Sequence, residues 1–74
     1  MSMKKLAIIS PDNKIEIENL DGEGLELWEC GGSYSIIDGV EVRMIDDKLM
    51  VVGGEDKILD SAKRVLKAEI DMVI

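Results

Sequence analysis

The sequence predicts an α+β fold: an antiparallel β-meander of five to six strands, in one sheet, split into two small ones or curled toward a barrel, with one C-terminal amphipathic helix packed on the sheet. Three observations carry this expectation. β-Branched runs separated by turn clusters fill the first two thirds of the chain. Asp38-Gly39 is a strong two-residue hairpin signal between such runs. After Gly53-Gly54, apolar residues change to three- and four-residue spacing, the period of one helix face.

Lys5–Ile9 and Lys14–Glu18 flank Ser10-Pro11-Asp12-Asn13, where each residue favours a turn, so the two runs read as a hairpin. Ile15 and Ile17 alternate with Glu16 and Glu18, the pattern of a half-buried strand. After the loop Leu20–Gly24, the segment Leu25–Cys30 reads as a third strand, because Leu25 and Leu27 alternate with Glu26. Ser33–Ile37, Val40–Ile45 and Lys48–Val52 then form a meander through Asp38-Gly39 and Asp46-Asp47. Those turns set Ile37 opposite Val40, Val42 opposite Val51 and Met44 opposite Leu49, which makes one continuous core face with Ile37, Val40, Val42, Met44, Leu49 and Val51. The other face carries Tyr34, Ile36, Ile45, Met50 and Val52 beside Glu41 and Arg43, so it is half apolar and needs cover, for which the first hairpin is the expected source.

Glu55 and Asp56 open the helix, where carboxylates complement the dipole, and Ile58, Leu59, Ala62, Val65, Leu66 and Ile70 form its apolar stripe. The tail Ile70–Ile74 suits either a continued helix or a short strand. Leu49–Ala62 resembles the last strand and helix of a KH domain. The G-x-x-G loop that holds RNA in that family has no counterpart here, and its function is not carried over.

With 74 residues, 46% of them hydrophobic, and a single proline, residues 1–74 read as one small soluble domain. There is no histidine, phenylalanine, threonine or glutamine, which removes the usual acid/base group near neutral pH. No spacing pairs a second catalytic group with an Asp, Glu, Lys or Cys, so the chain reads as non-enzymatic. The single cysteine, Cys30, cannot form an internal disulfide, which suits a reducing, cytoplasmic setting, and without a neighbouring cation it reads as an inert thiol. No apolar run approaches the roughly 20 residues that span a bilayer, so no membrane association is expected.

The net charge of -7 is uneven, since residues 15–30 contain six carboxylates and no lysine or arginine. Such a surface disfavours nucleic acid and favours a basic partner or a cation. Pairing Ile17 with Leu27 would place Glu18 opposite Glu26, a repulsion that calcium could relieve if held by Glu18, Asp21, Glu23 and Glu26; otherwise the carboxylates form a solvated face. Gly53-Gly54 before the helix lacks the residues of a phosphate-binding loop and reads as a cap. If Leu25–Cys30 is a strand, Trp28 points outward opposite Glu16 and, with Tyr34 and Arg43, forms a candidate interface; the alternative is a Trp28 covered as core. Three functions follow in order of support: a non-catalytic acidic interaction module with a protein partner or self-association and no required cofactor, a calcium-binding protein, and a structural homo-oligomer subunit.

Overall fold

The computed structural model describes residues 4–37 and 39–73, with side chains through residue 68. Five strands form one antiparallel sheet: β1 (Lys4–Ile9), β2 (Ile15–Asn19), β3 (Tyr34–Ile37), β4 (Val40–Ile45) and β5 (Lys48–Gly54). Their spatial order is β2-β1-β5-β4-β3, which puts β5 at the centre and β2 and β3 at the edges. The α+β fold, an antiparallel sheet with a C-terminal helix, is therefore as expected; β3, β4 and β5 follow one another in space, and the β1–β2 hairpin joins them through the β1–β5 pairing. Its predicted registers hold as well, with Ile37 opposite Val40, Val42 opposite Val51 and Met44 opposite Leu49.

The turns explain the registers. Asp46 and Asp47 both have positive φ, at 50° and 64°, the left-handed pair that a two-residue hairpin turn requires and that Asp tolerates better than most residues. Asp38 lies outside the described residues, while Gly39 has φ 80° at the β3–β4 turn. In the first hairpin Asn13 takes φ 66° and donates its N–H to the Ser10 carbonyl at 2.9 Å.

A short 3-10 turn (Glu55–Lys57) leads into α2 (Ile58–Val73). The tail through Val73 is helical, whereas the side chain of Ile70, expected in the stripe, lies outside the described side chains. Ile58, Ala62 and Val65 bury the helix stripe against Ala7, Ile9, Val40, Val42, Leu49 and Val51, with Leu66 partly buried beside them. Leu59 is exposed instead, since it projects from the margin of the stripe. Met44 also departs from the expected core face at 52% exposure, because α2 packs on β5 and β1 and leaves the β3–β4 end of that face open.

The segment Leu25–Cys30 is not a strand. Glu23–Glu29 forms a second helix, α1. The chain leaves the sheet at one edge, after β2, and re-enters at the other, in β3, so residues 20–33 must cross four strand spacings, roughly 19 Å. They cross over the face opposite α2. Gly22 at the helix start has φ 58°, and a Cβ on Gly24 would overlap the carbonyl oxygen of Asn19, so glycine permits both the sharp entry and the close approach to β2. Leu20, Gly24 and Trp28, four residues apart, face the sheet, and Trp28 is buried to 6% exposure among Leu6, Ile8, Met50 and Val52.

Two expectations fall with the third strand. Glu18 sits opposite Leu6 and Glu16 opposite Ile8, so neither Glu26 nor Trp28 pairs with β2. Trp28 is core, and α1, not the first hairpin, covers the second face; the hairpin lies in the plane of the sheet itself.

Gly24→Ala is expected to lower stability by about 2 kcal/mol or more, because the clash is with backbone and not with a flexible side-chain end. Urea denaturation followed by circular dichroism measures it, and an unchanged midpoint would contradict the close approach of α1 to β2.

Candidate functional site

Two features stand out at the β3–β4 end of the sheet: a clasp that holds α1 down and an uncharged edge strand beside it. The clasp is centred on Arg43. Tyr34 and Arg43 are directly opposite across the β3–β4 ladder, so their side chains emerge together on the α1 face. The Arg43 guanidinium carbon lies 4.5 Å from the centre of the Trp28 ring and 5.1 Å from that of Tyr34. The two rings are 6.3 Å apart and tilted by 55°, so the cation rests on both aromatic surfaces.

Arg43 Nη1 donates to the carbonyl of Trp28 at 2.7 Å and to that of Gly31 at 3.1 Å. These are carbonyls at the end of α1, a helix with no basic residue in its own last turn. The cation that its dipole favours comes from the sheet. Gly31 lets the chain pass close to this side chain, since a Cβ there would come within 2.8 Å of Arg43 Cδ and Ile45 Cδ1. Arg43 Nε is buried without an acceptor among the described residues, the polar cost of seating the guanidinium against the two rings.

Beside the clasp, β3 exposes Tyr34 and Ile36 on the α1 face, Ile36 to 68%. On the α2 face a hollow of about 310 Å³ is lined by Ser33, Ser35, Ile37, Val42, Met44 and Leu49, with Tyr34 at its margin. No residue from Ser33 to Ile37 carries a charge. The opposite edge strand, β2, carries Glu16 and Glu18, which discourage strand pairing.

The predicted interface residues thus meet, but with different roles. Trp28 and Arg43 build the clasp, and Tyr34 presents an exposed ring at 53%. The exposed Ile36 and Met44 were missed as surface features. Their signal was the excess of apolar residues over what one helix can cover.

The predicted calcium residues are spread along three elements. Glu18 lies on β2, Asp21 in the connection, and Glu23 and Glu26 in the first turn of α1, where their charge complements the helix dipole. Among the described residues no group of three or more His, Cys, Asp or Glu side chains is placed to hold a metal ion. Cys30 is exposed beside a shallow hollow of about 370 Å³ that Glu23, Glu26 and Leu27 also line. Among the described residues no helix is long and apolar enough to cross a membrane. No family model, curated protein or solved structure matches the chain.

Trp28→Ala is expected to cost about 3–5 kcal/mol, enough to unfold a domain of this size, since it empties the core under α1. A folded variant by circular dichroism, with a midpoint near that of the parent, would show that the ring is not core. Arg43→Met should cost about 1.5–3 kcal/mol and shift Trp28 emission to longer wavelength as α1 loosens. Arg43→Lys should recover only part of that loss, because an ammonium lacks the planar, delocalised surface that meets both rings while Nη1 donates to two carbonyls. Equal stability of the Lys variant and the parent would remove the geometric argument for the clasp.

Proposed function

We propose that the chain is a non-catalytic interaction module that holds another polypeptide strand along the β3 edge. The observation that supports this reading is the edge itself: a strand paired on one side by β4 and, among the described residues, on the other by none, with no charge from Ser33 to Ile37 and with Ile36 two-thirds exposed. Monomeric proteins usually blunt such an edge with charge, proline or a covering loop. An added strand would gain main-chain hydrogen bonds from β3 and place alternate side chains on Tyr34 and Ile36 on one face and on the hollow beside Met44 on the other. The lack of histidine and the shallow hollows favour binding over catalysis.

Calcium binding by Glu18, Asp21, Glu23 and Glu26 is the less supported reading, because its basis was the Glu18–Glu26 juxtaposition that the β1–β2 register replaces. A basic partner for the acidic segment rests on charge alone.

Panning random heptapeptides displayed on phage against the immobilised chain tests the proposal. Enriched peptides are expected to alternate apolar residues, to shift the amide resonances of Ser33–Ile37 and Met44, and to lose binding at least tenfold on Ile36→Lys. Peptides that instead perturb α1 or α2, or a failure to enrich any sequence, would contradict it. Calcium at millimolar concentration should leave the resonances of residues 18–26 in place. A saturable shift there would restore the cation reading.

A further inference from the structure

We propose that the strand held at the β3 edge is β3 of a second copy, joined across a two-fold axis perpendicular to the sheet and centred on Ser35. The inference rests on the interaction-module reading and names its partner.

The geometry leaves few choices. A two-fold axis normal to the sheet keeps the α1 faces of both copies on one side, so residues that pair across it must project to the same face. Pairing Ser35 with the same residue of the second copy meets that condition. It also centres the ladder on Ser33–Ile37, the uncharged stretch. Tyr34 then lies opposite Ile36 of the other copy, twice by symmetry. This is an aromatic–β-branched pair of the kind that stabilises antiparallel ladders, and it covers the two most exposed apolar side chains of β3. On the other face Ile37 comes opposite Ser33, and the two hollows that reach Met44 adjoin across the axis. A register moved by two residues would bring Asp38 into the ladder opposite Tyr34.

Charge tells against a basic partner at this edge and leaves it as the place where a second copy can approach. Each chain carries -7, and two such chains repel wherever their acidic surfaces meet. Strand β3 is the uncharged edge of the sheet, and the β2 edge with Glu16 and Glu18 lies four strand spacings away. Pairing through β3 forms a ten-stranded sheet whose outer edges both bear carboxylates, so the assembly closes at two copies. A basic partner would find no charge on β3 to recognise. The contact is small, so the association is expected to be weak and reversible.

Cross-linking and sedimentation test the register and the occupant together. In a Cys30→Ser background, which removes the native thiol, Ser35→Cys is expected to form a disulfide-linked dimer within minutes under mild oxidation. Residues directly opposite in an antiparallel ladder have Cα atoms about 4.5–5.5 Å apart, within disulfide range. Ile36→Cys in the same background is the control. It is exposed like Ser35, but its copies would sit two residues out of register, roughly 8 Å apart, and cross-link slowly.

By sedimentation equilibrium under reducing conditions, the parent is expected to pass from 8.2 kDa toward twice that mass between micromolar and millimolar protein. Added salt should tighten the association, because it screens like charges. Ile36→Lys, folded by circular dichroism, should remain monomeric throughout. A parent that stays monomeric, equal cross-linking of the two cysteine variants, or association that salt weakens would overturn the inference. If the parent is monomeric while panned peptides still perturb Ser33–Ile37, the second copy is excluded and the module reading stands; if neither binds, both fall.

Discussion

The centre of β5 sets the demand that the rest of the structure meets. Leu49, Met50, Val51 and Val52 follow one another with every side chain buried, so this strand is apolar on both faces and must have a layer on each. The neighbouring β1 repeats the pattern with Leu6, Ala7, Ile8 and Ile9. One helix cannot satisfy two faces. The 16-residue α2 covers one, and among the described residues the segment between β2 and β3 is what is left to cover the other.

That segment supplies seven helical residues, too few to be stable alone in water. Its helix exists because tertiary contacts hold it. Trp28 contributes the buried apolar area, and Arg43 satisfies the carbonyls at the helix end while stacking on Trp28 and Tyr34. The ion pairs among the described residues, Lys4–Glu41 and Lys5–Glu55, are long at 3.9 Å and partly exposed, so they contribute little. The same short crossover determines what is left open. It seats Trp28 and its C-terminal end against Arg43 and leaves the outer side of β3 uncovered, with Tyr34 and Ile36 exposed. Fold and proposed function therefore share one cause, the small size of the second cover.

The meander was legible because turn chemistry and alternation agree there. Gly39 and the Asp46-Asp47 pair take the left-handed conformations that fix a two-residue turn, and register follows from the turn. Residues 23–30 were misread because Leu25 and Leu27 alternate like strand residues, although both project from α1 at about two-fifths exposure. The informative spacing was Leu20, Gly24, Trp28, a four-residue period, together with the glycines at 22 and 24 that allow a sharp helix entry. Composition favoured neither reading, since Glu and Leu suit a helix and alternation suits a strand. The role of Arg43 was hidden for another reason. Its partners lie 12 and 15 residues away in sequence, and a lone arginine in a strand gives no sign of which helix end it will cap.

Native-state hydrogen exchange tests the two-cover arrangement most directly. If α1 is a packed layer, the amides of Glu26, Cys30 and Gly31, which donate to the carbonyls of Gly22, Glu26 and Trp28, exchange far more slowly than in an unstructured chain, and the β5 amides exchange slowest of all. Exchange of the α1 amides at unstructured rates, with β5 still protected, would contradict the account, because the second face of the sheet would then stand without its cover.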